Sequence, residues 1–463
     1  MSFNKRKIHF EISERKILLR IIDVAVVLIA LYLVNKMFDF NYFKISSVNF
    51  VPIFILCFYI TIFGTIFDMY HLPATVNPLR TTRSVLLTAS FSSLFFFLTP
   101  FFTPYLPSNR TQILYFYLAI LISLILWRVF YMKYLASSRF VKKTVLICRK
   151  EQFYQLKDAI QKADPNHKIV GILDTDNEDS SDIKDEEVTV FKNIDELEEY
   201  MFTHGVRELM ISPNSDIRKM HAKLLQLMEN GIFIKDYLYA YEQLFNKIPI
   251  DLIEKDFYRY FPFSRTNHNK LYLFAVRAGE IIFSVIGLVG MLLILPFILI
   301  VNAIANRGPL FYTQERIGKN GKPFKIIKFR SMVKDAEKNG AVFAQKNDMR
   351  VTPFGRFLRK TRIDEIPQLL NVLKGEMSVI GPRPERAVFV EQITEKMPFY
   401  PARHAIKPGL TGWAQINYKY GDSIEDSIEK LKYDLFYIKR RSVFLDINII
   451  VKTIGTILFY RGQ

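Results

Sequence analysis

Four apolar runs in the first third of the chain limit its fold more than any other feature. They cover Ile21 to Met37, Phe50 to Phe67, Val85 to Phe102 and Ile113 to Tyr131. Each is ~17 to 20 residues long, enough to cross a hydrocarbon core as a helix, and a helix satisfies its own backbone in lipid. Charge sets their direction. Basic residues fall in the N-terminal tail (Lys5, Arg6, Lys7, Arg15, Lys16, Arg20), at Arg80 and Arg83, and after the fourth run at Arg128, Lys133, Arg139, Lys142 and Lys143. The opposite loops carry only Lys44 and Arg110. The positive-inside rule therefore places both ends of a four-span unit in the cytoplasm. The first run has no small-residue cleavage site and further spans follow it, so it does not read as a signal peptide.

At 463 residues the whole chain has room for two or three domains. Half of its residues are hydrophobic while its net charge is +18, a combination that suits an anionic membrane surface. Nucleic acid is the other partner such a charge serves, but the gathering of apolar residues into long runs argues for no nucleic acid. The only cysteines are Cys57, within a span, and Cys148, in a core-type strand, so no disulfide framework or thiolate metal site exists.

From Phe140 to about Tyr241 the pattern becomes soluble α/β. Strand-like runs (Thr144 to Cys148, Lys168 to Asp174, Val188 to Phe191, Glu208 to Ser212, Ile232 to Asp236) alternate with helical ones (Gln152 to Ala163, Ile194 to Thr203, Ile217 to Glu229). Such alternation predicts a doubly wound parallel sheet. The first strand-to-helix turn, Ile147-Cys148-Arg149-Lys150-Glu151, has no glycine, so the G-x-G-x-x-G phosphate cradle is missing and no bound dinucleotide is expected. Acidic Asp174 to Glu187 reads as a flexible loop.

Phe257 to Asn269 mixes aromatic and basic residues, as an interfacial linker would. A fifth apolar run, Ala275 to Ile304, holds Pro296 in its interior and Gly279, Gly287 and Gly290 along its length. Proline removes a helix hydrogen bond, and cations flank both ends (Lys270, Arg277, Arg307). These residues fit a bent helix that returns to the cytoplasmic face; a kinked helix that crosses also fits them.

The densest chemistry lies between Arg350 and Pro384. Adjacent carboxylates, Asp364 and Glu365, follow a basic run (Arg356, Arg359, Lys360, Arg362) and precede Ile366-Pro367 and an apolar-periodic segment. Acids ahead of a proline mark a helix N-terminus, where exposed N–H groups keep Asp364 ionised and attract phosphate. An ionised carboxylate among arginines suits phosphoryl transfer through an acyl-phosphate. The plainer reading makes Asp364 only an N-cap on a basic surface helix.

Taken together, QERIGKNGKPF (Gln314 to Phe324), KFRSM (Lys328 to Met332), the Arg350 to Glu385 stretch ending in GPRPE, and KPGLTGWAQIN (Lys407 to Asn417) resemble the bacterial sugar transferase family of polyprenyl-phosphate phosphosugar transferases. The resemblance runs from about Asn269 to the C-terminus, and the spans and α/β domain ahead of it are similar to the polytopic branch of the undecaprenyl-phosphate glucose or galactose phosphotransferase type. It implies a membrane α-helical bundle of four spans (1–139), an α/β Rossmann-like domain (140–256), an interfacial linker (257–274), a re-entrant membrane helix (275–304) broken at Pro296, and a monotopic α/β catalytic domain (305–463).

The implied reaction moves a sugar-1-phosphate from a UDP-sugar to undecaprenyl phosphate and releases UMP. It is the initiating step of exopolysaccharide, capsule or O-antigen synthesis at the cytoplasmic face of the bacterial inner membrane. Asp364 would be the nucleophile and form an aspartyl phosphosugar, and Glu365 would help hold Mg2+. Arg359 and Arg383, with Lys328, Arg330 and Arg403, would bind phosphate or nucleotide. Trp413 is expected to pack under the Pro-Gly turn. The pattern leaves a homodimer open and names no sugar. Leu295 precedes Pro296 where relatives often carry Ser.

Two other classes compete. Membrane-anchored nucleotide-sugar dehydratases or epimerases share the front half but need the glycine fingerprint and a Tyr-x-x-x-Lys pair, and no tyrosine between Tyr134 and Phe274 has lysine four residues on. A non-catalytic membrane scaffold or regulator of polysaccharide assembly would leave the Asp364-Glu365 pair idle.

Overall fold

The computed structural model describes residues 12–38, 40–45, 50–70, 78–135, 142–163, 167–175, 188–213, 215–253, 257, 261, 267, 269–306, 308–334, 336, 348–418 and 423–458. The chain divides into two compact units, Met1–Phe245 and Asn246–Gln463. The start of the basic tail and most of the acidic loop after Asp174 lie outside the described residues.

The first unit opens with helices α1 (Ile12–Met37), α2 (Phe50–Ile66), α3 (Pro78–Leu98) and α4 (Thr111–Phe130). They close a ring in which α1 meets α2 and α4, and α3 meets α2 and α4. Small residues make this close approach possible: Thr88, Ala89, Ser92 and Ser93 on α3 and Ala119 and Ser123 on α4 are all buried. Stacked Phe96 and Phe116, 5.0 Å between centroids, fill the end of the bundle where α3 finishes and α4 starts. At the other end Arg128 pairs with Asp23 at 2.5 Å, both side chains at most 2% exposed. Arg128, read from the sequence as a topology signal, is thus also a clasp between α1 and α4. Among the described residues four helices are long and apolar enough to cross a membrane, namely Ile17–Met37, Thr81–Leu98, Thr111–Tyr134 and Lys270–Ala305. The second predicted span, α2, is shorter at 17 residues, ~25 Å of helix. This is a membrane-associated chain.

The same unit continues into a five-stranded sheet of β1 (Lys142–Cys148), β2 (His167–Asp174), β3 (Thr189–Phe191), β4 (Glu208–Ile211) and β5 (Phe233–Asp236). Every pairing is parallel and the order is β3-β2-β1-β4-β5. Helices α5 (Lys150–Ala163), α6 (Ile194–Thr203) and α7 (His221–Glu229) make the crossovers, and α8 (Tyr237–Phe245) ends the unit. β1 sits in the middle, and its Val145, Leu146 and Ile147 are fully buried, as near-continuous apolar sequence in a parallel strand requires.

In the second unit the 36-residue helix α9 (Lys270–Ala305) is capped by Asn269 and carries Pro296 inside it. The helix runs through the proline without a gap, whereas the sequence suggests a break. Met291, Leu295 and Ile298 pack into one cluster with Phe329, Phe354 and Leu358, which holds the turns on both sides of Pro296. The hairpin β6 (Phe311–Ile317) and β7 (Pro323–Phe329) follows, then α10 (Pro353–Lys360), a 3-10 turn (Ile363–Gln368) and α11 (Leu369–Lys374). A short parallel pair, β8 (Ser378–Ile380) and β9 (Gly409–Thr411), brackets α12 (Ala387–Lys396); α13 (Ile424–Arg440) and α14 (Val443–Leu458) close the unit. Of the aromatic stretch after Asp256, Phe257 and Phe261 are buried, and Phe257 stacks on Phe399 at 4.1 Å.

Candidate active site

Thr352 caps α10 through Gly355 N, and Pro353 stands at its first turn. A Cβ on Gly355 would lie 1.9 Å from the Ser331 carbonyl, so only glycine lets α10 rest on the strand-end KFRS segment. The chain then reverses at Arg362, whose φ of +59° is a left-handed conformation rare for a side-chain-bearing residue. It enters the 3-10 turn carrying Asp364 and Glu365. The sequence expectation of an N-cap ahead of a regular helix is corrected here: the pair lies inside the turn, with Pro367 behind it. Ile363 and Ile366 anchor the turn to α9 and α10.

Asp364 is 7% exposed, and its Oδ1 has no hydrogen-bond partner among the described residues. Burial and then the Glu365 charge push its carboxyl above the usual carboxylate range, against the pull of Lys328, Arg359 and Arg362. Desolvation, not a helix dipole, sets its character. Burial also acts on Glu365, but the positive charge of Arg383, Lys328 and Arg362 outweighs it and holds that carboxyl low. Glu365 Oε1 accepts from Arg383 Nη2 at 2.7 Å and from Lys328 Nζ at 3.3 Å, and Arg362 lies 3.7 Å from Oε2. One acid is therefore fully engaged and its neighbour is buried and idle.

Lys328 reaches the pair from β7, where burial pulls its ammonium pKa down while Glu365 pushes it up. That strand is held in place by Asn371, fully buried on α11. Its side chain accepts from Ile327 N at 3.2 Å and donates to Lys325 O at 2.8 Å. Arg383 arrives from the GPRP turn, which rests on KPGLTG: Gly381 N donates to Thr411 O and Gly409 N to Pro382 O, each at 2.9 Å. A Cβ on Gly409 would come within 2.1 Å of Gly381 N, so both motifs need their glycines for this backbone contact.

Of the seven predicted catalytic and binding residues, Asp364, Glu365, Lys328 and Arg383 come together directly. Arg359 acts on Asp364 electrostatically while its Nε donates to Ser331 Oγ at 2.9 Å. Arg330 and Arg403 are elsewhere. Arg330 is 8% exposed and donates to the backbone carbonyls of Pro309 and Asn306, tying the end of α9 to β7. Arg403, 5% exposed, pairs with buried Asp434 at 2.7 Å and donates to Tyr400 Oη at 2.6 Å and Arg383 O at 2.9 Å. It supports the backbone of Arg383. Trp413 is buried, stacks on Phe436 and donates to Asn246 O at 2.8 Å. Asn371 and Asp434 were missed as positioning residues; a polar residue inside each apolar-periodic helix was the available signal.

Among the described residues no cluster of three or more His, Cys, Asp or Glu could hold a metal. The Asp364-Glu365 pair does offer hard oxygen donors, and Mg2+ commonly takes one or two carboxylates and fills its remaining positions with water and phosphate. Glu365 fits that role once it gives up Arg383 or Lys328, which leaves the Asp364 Oδ1 unengaged.

Residues 271–460 match the family model described as bacterial sugar transferase, and residues 65–234 match one described as a CoA-binding domain. A Bacillus subtilis protein provisionally named undecaprenyl-phosphate N-acetylgalactosaminyl 1-phosphate transferase is 52% identical over 141 residues, 30% of this chain and 79% of that one. The chain belongs to the bacterial sugar transferase family. Two longer members are also similar. The UDP-N-acetylgalactosamine-undecaprenyl-phosphate N-acetylgalactosaminephosphotransferase of Aeromonas hydrophila is 46% identical over 190 residues, 41% of this chain and 44% of that protein. The UDP-glucose:undecaprenyl-phosphate glucose-1-phosphate transferase of Xanthomonas campestris is 34% identical over 276 residues, 57% of this chain and 55% of that one. The chain thus matches about half the length of these longer sugar transferases.

Proposed function

We propose that this sugar transferase moves a sugar-1-phosphate from a UDP-sugar to undecaprenyl phosphate, at the cytoplasmic face of the bacterial inner membrane, as the first step of a surface polysaccharide. The observation that carries the reading is the buried, unpartnered Oδ1 of Asp364 beside a carboxylate ringed by cations. Asp364 Oδ1 attacks the β-phosphorus of the UDP-sugar. The bond from that phosphorus to the bridging oxygen breaks, and UMP leaves with the electron pair. An oxygen of undecaprenyl phosphate then attacks the same phosphorus and expels the Asp364 carboxylate. No proton need move in either step, so the protein's task is charge placement.

Arg383 and Lys328, now on Glu365, are placed to shift toward the incoming diphosphate. Asp364, desolvated and raised in basicity, is a stronger nucleophile than a hydrated carboxylate. Mg2+, held by Glu365 and substrate phosphate, would supply further neutralisation of the diphosphate charge.

The packing of α9 supports a re-entrant placement. Its buried residues Glu280, Ser284, Met291, Ile298 and Asn302 form one stripe along the helix. Near the start, Arg277 donates to Val372 O and Leu373 O at 2.6 and 2.7 Å; at the other end Asn306 donates to Arg330 O at 2.8 Å. Both ends thus hold the same catalytic unit, which a helix crossing the bilayer would separate. The opposite face presents Ile282, Ile286, Leu293, Phe297 and Ile300.

The test is UMP release by membranes given a panel of UDP-sugars and undecaprenyl phosphate, wild type against Asp364→Asn. Release lost in the variant supports the reaction and identifies the sugar. Equal release by both proteins removes Asp364 as nucleophile, and none with any sugar removes the reaction.

A further inference from the structure

On the outer half of the four-span bundle, a groove of about 440 Å3 opens between α3 and α4. The reaction proposed above makes no use of it. Arg110 stands at its mouth, and Leu94, Phe97 and Leu114 are among its walls. Its lining also includes hydroxyls: Ser90 Oγ and Tyr117 Oη are hydrogen-bonded at 3.1 Å, and Ser93 lies beside them. Ser93 is only 2% exposed, and its Oγ has no partner among the described residues.

Two independent features call for a ligand with both charge and a carbonyl. The mouth is positive, because Arg110 is exposed and α4 starts there with no acid in its first turn to offset the N-terminal N–H groups. Deeper in, a buried hydroxyl without an acceptor is unfavourable until one is supplied. Ser93 lies five residues before the end of α3 at Leu98, ~8 Å into the apolar layer. A glycerophospholipid has this layout: an anionic phosphate at the interface, ester carbonyls just beneath it, and acyl chains below. A polyprenyl phosphate has the phosphate and the chain but no carbonyl.

We propose that this groove binds an anionic glycerophospholipid of the outer leaflet, the orientation being that set by the positive-inside asymmetry of the loops. Its phosphate rests on Arg110, an ester carbonyl accepts from Ser93, and an acyl chain runs along Leu94, Phe97 and Leu114. The occupant is a resident lipid of the bundle and not a substrate.

Native mass spectrometry of the full chain released from detergent, titrated with phosphatidylglycerol, phosphatidylethanolamine or undecaprenyl phosphate, tests this. Phosphatidylglycerol should bind about tenfold more tightly than phosphatidylethanolamine, and Arg110→Gln should abolish that preference. Ser93→Ala should weaken phosphatidylglycerol by about threefold, the worth of one hydrogen bond, and leave undecaprenyl phosphate unaffected. Leu94→Trp, which keeps the charge and fills the groove, should displace the lipid. Equal binding of the two glycerolipids, or a preference that survives Arg110→Gln and Leu94→Trp, overturns the site. Undecaprenyl phosphate that displaces phosphatidylglycerol, and whose own binding falls in Leu94→Trp, overturns the assignment to a glycerolipid, because its binding at the catalytic unit does not involve Leu94. UMP release by each variant, unchanged from wild type, separates this outcome from failure of the proposed reaction.

Discussion

Removing the Arg403 side chain separates a phosphate ligand from a buried support. Arg403→Met would leave Asp434, 2% exposed, without its cation. Stranding one member of a buried pair costs ~3–5 kcal/mol. For a unit of this size each kcal/mol lowers Tm by ~2–4 °C, so the loss should be ~6–20 °C. Adding Asp434→Leu removes the stranded charge, and the double variant should return to within a few degrees of wild type. Its UMP release should fall only about tenfold, through loss of the bond to Arg383 O, because Arg403 touches no substrate in this reading. Thermal unfolding and UMP release are measured on the same detergent-solubilised preparations. A single variant with unchanged Tm and turnover down a thousandfold or more would refute the argument and return Arg403 to the phosphates.

Turnover should fall on the acid side with a midpoint above the ~4 of an ordinary carboxylate, since the proposed reaction needs Asp364 ionised and its pKa is raised. Glu365→Gln removes one of the two influences that raise it, so the acid limb of kcat/KM should move to lower pH even as the rate drops. Asp364→Asn should raise Tm by several degrees at pH 7. The folded pKa of Asp364 is above its unfolded value, so ionisation at neutral pH destabilises the fold; the gain should vanish as pH falls below the unfolded pKa. Asn371→Ala should cost about 3 kcal/mol, seen as a lower Tm, by stranding the Ile327 N–H and the Lys325 carbonyl.

What could be read from the sequence was local. The spans announce themselves by length and flanking charge, and the strands of the parallel sheet fall within about two residues of their expected bounds. Asp364, Glu365, Lys328 and Arg383 stand out in the sequence because the motifs holding them are dense and contiguous. Arg330 and Arg403 were indistinguishable from these by type or setting. Their roles depend on Pro309, Asn306 and Asp434, tens of residues away, and a guanidinium serves a carbonyl or a carboxylate as readily as a phosphate. The turn at Asp364 was misread because a left-handed Arg362 has no sequence signal comparable to glycine's.

Ile363 and Ile366, on either side of the carboxylate pair, are bedded in the same cluster as Met291 and Ile298 of the long apolar helix α9. With α9 placed in the membrane as proposed, the height of the Asp364 carboxylate relative to the bilayer is set by side-chain packing on that helix. A polyprenyl phosphate takes its own height from the depth at which its chain anchors it. On the proposed reaction, nucleophile and acceptor are levelled against one common reference plane, so their vertical alignment is built in before they meet, and only lateral diffusion is left to bring them together.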